Sequence, residues 1–197
     1  MRKLHLALLP ALLLALALGL AACGSSGESD EDKIVSTIEE AATSDDPSIC
    51  SETQTLSFME QTTGSSGKGA EKECQQEAES GEDQPDSVKV SKVEVDGGSA
   101  TADAEFKGGP FDAQILELAL VEEDGEWKLD KLTGFAKFDS DSLVASFAEQ
   151  IEQDSSIEPE TASCFVEGIE ELSDPELESV VIESNTEVFG EIAESCE

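Results

Sequence analysis

The sequence predicts an α+β protein, with N-terminal helices packed on a curled four-stranded antiparallel meander and a small all-α unit after it. Three observations carry that expectation. The apolar period changes from helical to two near Val88 and returns to helical near Ser140. Turn signals at Asp96-Gly97-Gly98, Gly108-Gly109-Pro110 and Asp124-Gly125 join four strand-length runs in succession. Four of the five cysteines fall in two brackets, one in each helical region.

The chain opens with a basic Met1-Arg2-Lys3, followed by the apolar run Leu4 to Leu20 and then small residues, the proportions of an export signal. The end of that run, Leu20-Ala21-Ala22-Cys23, resembles the lipobox of bacterial lipoproteins. The resemblance implies that the Cys23 thiol takes a diacylglycerol, with acyl chains of the palmitate type, and that the mature chain begins there. A plain signal peptide or a single spanning helix is the competing reading. The run is short for a span and no basic stop-transfer cluster follows it. Arg2 and Lys3 hold the N-terminus on the cytoplasmic side until cleavage, so the body faces outward, lipid-anchored to the cell membrane.

Cutting before Cys23 leaves 175 of the 197 residues and removes His5 and Arg2, the single histidine and arginine of a chain without tyrosine. Taking Arg2 and Lys3 from the 11 cationic residues leaves nine lysines against 46 acids, and moves the formal charge from -35 to -37. Without a basic face or a guanidinium fork, binding to nucleic acid is excluded. The acidic surface favours solubility and salt tolerance. Acidic clusters also suit divalent cations, but no D-x-[DN]-x-[DN]-G loop is present, and no metal or other cofactor is expected. High Ala, Gly and Asp/Glu content with few lysines suits a high-GC bacterium such as an actinobacterium.

With Cys23 given to lipid, Cys50, Cys74, Cys164 and Cys196 remain, and an even set in an oxidising compartment reads as disulfides with three connectivities. Cys50 is expected to pair with Cys74 and Cys164 with Cys196, because each pair falls within one unit. Zinc is the alternative, and the missing histidine and C-x-x-C spacing speak against it.

The elements follow in order. Residues 1–22 are the signal, and 23–32 a lipidated tether whose Gly/Ser/acidic stretch Gly24 to Asp32 spans about 15 to 18 Å over nine residues. Residues 33–153 form the α+β domain. Ile34, Val35, Ile38 and Ala41 make one helical stripe, stopped at Ser44-Asp45-Asp46-Pro47. A short helical piece carries Cys50. Glu52 to Thr62, with Leu56, Phe58 and Met59, and Lys68 to Glu79, presenting Cys74, are the next helices. Strands are expected at Val88 to Val95, Ala100 to Phe106, Phe111 to Glu122 and Trp127 to Phe138. The second alternates Ala100, Ala102, Ala104 and Phe106 with polar residues. The third is apolar on both faces, as a covered central strand requires.

Helices followed by such a meander resemble the nuclear transport factor 2-like, cystatin-like cone found in many bacterial lipoproteins, over roughly Asp30 to Phe138. The most specific element is the hairpin Leu118 to Leu129, Leu-x-Leu-Val-x-x-Asp-Gly-x-Trp-Lys-Leu. Enzymes of that family place Asp, Tyr or His inside the cone, and the mature chain lacks the last two.

Ser140 is expected to cap a helix over Asp141 to Gln153, striped with Leu143, Val144, Phe147 and Ile151. Residues 154–197 then form the small disulfide-stapled unit. Its helices are Pro159 to Leu172, one opened by the Ser173-Asp174-Pro175-Glu176 capping box, and Thr186 to Cys196. Such a short unit needs its staple.

The G-x-S-x-G elbow, P-loop, G-x-G-x-x-G and H-E-x-x-H motifs are all absent. Two functions from different classes follow. The first is a non-catalytic envelope binding module. It would hold a small apolar ligand in the cone, near Phe58, Met59, Phe106, Phe111, Trp127 and Phe135, or meet another exported protein. Its rival is that these aromatics and the alanine row fill an ordinary core. The second function is an exported hydrolase or isomerase using a strand carboxylate, Asp112 or Glu117, buried in the cone.

Overall fold

The structure is a computed structural model that describes residues 28–81, 84–153 and 157–196. The signal, Leu20, Ala21, Ala22, Cys23 and most of the tether lie outside the described residues. The first helix, α1 (Asp30–Thr43), begins within the stretch expected to be tether. The reason is local: the Ser29 hydroxyl accepts the Asp32 amide at 3.2 Å while the Asp32 carboxylate accepts the Ser29 amide. Asp30, Glu31 and Asp32 also put negative charge on the positive end of the helix.

Three short helices follow, α2 (Ile49–Thr53), α3 (Leu56–Thr63) and α4 (Lys68–Ser80). The helix expected over Glu52 to Thr62 is split at Gln54-Thr55. There the Thr55 amide donates to the Leu129 carbonyl at 2.8 Å, and the Thr55 hydroxyl caps α3 by accepting from Phe58. Backbone pairing with the sheet outcompetes helix continuity at these two residues. A disulfide joins Cys50 to Cys74, so α2 and α4 are clamped around a small core of Ile49, Met59 and Ala70.

The sheet is an antiparallel meander in the order β1-β2-β3-β4, with β1 (Ser87–Asp96), β2 (Ser99–Lys107), β3 (Ile115–Glu123) and β4 (Glu126–Lys137). The third strand starts four residues later than expected. Residues 109–113 turn instead, with Ala113 at φ 65° and the Asp112 carboxylate accepting the Gly108 amide at 2.6 Å. Gln114 is fully buried there, and its amide both donates to and accepts from the Asp139 backbone. A bulge between Ser91 and Glu94 puts an extra residue into β1, and at three points β4 carries one residue more than β3. Bulges bend the strands that carry them and increase their twist. The outcome is a sheet that wraps α1, which packs against both outer strands, β1 and β4.

The main core lies between that helix and the sheet: Ile34 and Ile38 against Ala100, Ala102, Ala104, Leu118, Leu120 and Trp127. The alanine row is thus packing surface, small enough for the helix to come close. Trp127 is buried, and its indole donates to Asp30 at 3.4 Å.

After the sheet, α5 (Ser140–Gln153) is capped one residue earlier than expected, by Asp139, whose carboxylate accepts the Ser142 amide at 3.1 Å. Then come α6 (Pro159–Glu170), α7 (Asp174–Glu183) and α8 (Glu187–Ser195), with Cys164 bonded to Cys196. Leu143 of α5 shares one core with Ile169, Leu177 and Ile192, so the boundary expected at residue 154 falls between helices that pack together. These helices also lie on the sheet domain: Val181 and Ile182 pack against its core.

Candidate functional site

A cavity of about 490 Å³ opens between the concave face of the sheet, the N-terminal helices and the end of α7. Its floor comes from Leu116, Leu118, Leu129 and Leu132, the inward residues of β3 and β4, and one wall is the Cys50–Cys74 disulfide. Alternation on the strands and the helical stripe of α1 direct these side chains to one space. The wrapped sheet is deeper than α1 alone can fill, and the remainder is the cavity.

Of the six residues expected at a pocket, Phe58, Phe106 and Phe111 line it. Phe106 and Phe111 meet with ring centroids 6.0 Å apart. Met59, Trp127 and Phe135 stand elsewhere. Met59 is one residue on from Phe58 along α3, which turns it by about 100° away from the sheet and into the core around the Cys50–Cys74 disulfide. Trp127 sits in the main core under the start of α1, where Thr37 donates to its carbonyl. Phe135 packs edge-on against Phe138 at 4.9 Å. The alanines of β2 line no part of the cavity.

Phe147, Val180, Val181, Ser184 and Thr186 line the cavity as well. Periodicity puts Phe147 and Val181 on apolar stripes but carries no information on which neighbour a stripe meets. The Ser184 hydroxyl donates to the Gln61 carbonyl, tying the end of α7 to α3 beside the opening.

The site is nearly uncharged. Among the described lining residues, the single ionisable side chain is the carboxylate of Glu77 on α4. The donors of Gln61, Thr62, Thr63 and Ser184 are all given to backbone carbonyls. Asp112 and Glu117, the acids considered as bases, are both exposed and lie outside the cavity. Glu117 alternates with the inward Leu116 and Leu118, so it points to the outer face of the sheet near Lys92.

On that outer face the Lys92 ammonium sits 2.8 Å from the Asp103 carboxylate, and this partner raises the lysine above its ordinary range. Among the described residues no group of His, Cys, Asp or Glu is placed to hold a metal ion, and no helix is long and apolar enough to cross a membrane. The two disulfides mark an oxidising, extracytoplasmic compartment. No family model, curated protein or solved structure matches the chain.

Proposed function

We propose that the protein is a non-catalytic, membrane-anchored lipoprotein of a bacterial, actinobacterial-type envelope, whose cone holds a small apolar ligand outside the cytoplasm. The observation that carries the reading is the apolar cavity of about 490 Å³, within the range of small-molecule sites. A helix wrapped by a bulged four-stranded meander supports the nuclear transport factor 2-like, cystatin-like comparison for this domain, with residues 154–197 as the appended helical unit. The lipobox-like Leu20-Ala21-Ala22-Cys23 supports anchoring through Cys23, and the two disulfides support export.

Every described element, core and disulfide lies beyond Glu28, so a chain beginning at Gly24 keeps all of them. Native mass spectrometry of that chain, incubated with an envelope lipid extract, tests the reading. A retained adduct that is lost when Val181→Trp fills the cavity is the expected result. An adduct unaffected by the substitution, or none at all, counts against it. In cells, Cys23→Ser releases the protein from membranes; retention of that variant refutes the anchor.

The second reading, a hydrolase or isomerase, loses the two strand acids it was built on, since Asp112 and Glu117 face solvent. The carboxylate that does line the cavity, Glu77, is the residue on which it would now rest. Turnover of an ester or ketone panel that Glu77→Gln abolishes is the result that would favour it.

A further inference from the structure

Four helices end on this cavity among the described residues. Ser44, Gly64 and Ser184 are the C-terminal caps of α1, α3 and α7, and all three line it, while α4 adds Glu77 and Ala78 from its last turn. The carbonyls at the end of a helix carry the negative pole of its dipole, worth about half an elementary charge and felt within the last turn. A basic side chain in that turn offsets the pole, and none of the four helices has one. Two positive poles face the cavity as well, that of α8 at Thr186 and that of α2 at Ile49, but α2 is so short that its opposite end, Gln54, lines the cavity too. The balance of backbone charge is negative.

Side-chain charge has the same sign. Glu77 is the single ionisable lining residue among those described, and the remaining polar ones, Ser44, Gln54, Gln84 and Thr186 among them, are hydroxyls and amides. Along one face of α4, Cys74 is buried, Ala78 half-buried and Glu77 exposed, so the carboxylate marks the rim where the cavity meets water. The caps reach solvent also: Gly64 is exposed, and Ser44 and Ser184 are half-buried. Around this rim lies a chain of net charge -35. A carboxylate or phosphate head would be repelled on approach and would find no counter-charge at the rim. A cationic head meets a carboxylate and four negative helix ends while still partly in water, and the leucine floor takes an apolar body.

We infer that the ligand is a cationic amphiphile, an amine or quaternary ammonium whose apolar body fills the cavity and whose charge rests at the rim among Glu77 and the C-terminal ends of α1, α3, α4 and α7. This deepens the apolar-ligand reading above and rests on it. The leucine floor supplies the bulk of the affinity, and the rim selects the sign of the head group.

Displacement of the neutral dye Nile red from the Gly24–Glu197 chain at pH 7 tests this with three probes of one chain length, decyltrimethylammonium, 1-decanol and decanoate. Salt at about 0.15 M screens charges more than about 8 Å apart, which leaves the rim as the source of any preference. Decyltrimethylammonium is expected to displace at roughly tenfold lower concentration than decanol, with decanoate weakest. Glu77→Gln should cut that advantage severalfold with decanol unchanged, whereas Glu94→Gln, the same charge change on β1, should leave it intact. Thr62→Lys, which puts a cation in the exposed last turn of α3, should shift the preference towards decanoate. Equal displacement by the three probes, a preference for decanol or decanoate, a cation advantage surviving in either rim variant, or an equal loss in Glu94→Gln overturns the inference while the apolar pocket stands. Failure of Nile red and every probe to bind overturns the pocket itself.

Discussion

The side-chain amide of Gln61 donates to the carbonyl of Ile182 at 2.7 Å, joining residues 121 apart in sequence. The same nitrogen donates to the Leu132 carbonyl at 2.8 Å, and its oxygen accepts the Leu132 amide at 2.9 Å. One half-buried side chain thus fastens α3, β4 and the end of α7 beside the cavity. Gln61→Leu leaves an amide and two carbonyls without partners at similar volume. The expected loss is about 2 to 4 kcal/mol, read as a lower urea midpoint at unchanged m-value. A loss below about 0.5 kcal/mol would show that water replaces these bonds freely.

At Gly168 of α6 the Ile192 side chain of α8 comes close to the helix backbone. A Cβ built on Gly168 would stand 2.5 Å from Ile192 Cγ2, too close for any real contact. Ala at an exposed helical position normally stabilises. Here Gly168→Ala should destabilise by about 1 to 3 kcal/mol, and in the Ile192→Ala background the same substitution should cost clearly less. Additive losses in the double-mutant cycle would contradict the packing.

Removing the Cys164–Cys196 bond by a double serine substitution frees a loop of sequence separation 32. Loop-closure entropy puts the cost at about 3 to 4 kcal/mol. Limited proteolysis should then cut first between α6 and α8, with the sheet still protected. Simultaneous loss of sheet protection would mean that the two cores unfold as one.

Acid and salt act in opposite directions on this chain. The cap acids Asp32, Asp46, Asp139 and Glu176 are held below the ordinary carboxylate range by the serine hydroxyls and amides they accept from. A lowered folded-state value means that the stabilisation is present above the unfolded value, near pH 4, and is lost as pH falls through the folded value. The net charge of -35 meanwhile makes the folded chain repel itself at neutral pH. Tm should therefore rise with NaCl from about 0.02 to about 0.5 M at pH 7, and at the higher salt should fall once pH drops below about 4. A Tm indifferent to salt at pH 7 would show that the acids are spaced too widely to interact.

The meander was legible because its signals are local. Asp124-Gly125 dictates a two-residue turn with both residues at positive φ, and alternation along Ala100 to Phe106 fixes a face. The cysteine pairs were legible from unit boundaries. The late start of β3 was not, because a buried Gln114 reaching the Asp139 backbone is a contact over 25 residues that no window contains. The Gln54-Thr55 break has the same origin, since its cause is the Leu129 carbonyl. Of the six residues expected at a pocket, Phe58, Phe106 and Phe111 line the cavity and Met59, Trp127 and Phe135 do not. Aromatic character marks burial for Phe58 and Trp127 alike, and does not tell that the first lines a cavity while the second sits in the core under α1.

The two disulfides close successive loops, 50–74 and 164–196, with neither crossing the other. A chain threading outward from its N-terminus can therefore seal its first loop once Cys74 has emerged, before any strand of the sheet is available. The second seals at the very end, after the sheet it leans on is complete. Oxidation in order of emergence yields the native pairing without a shuffling step, and one wall of the cavity is in place while the rest of the molecule is still being delivered.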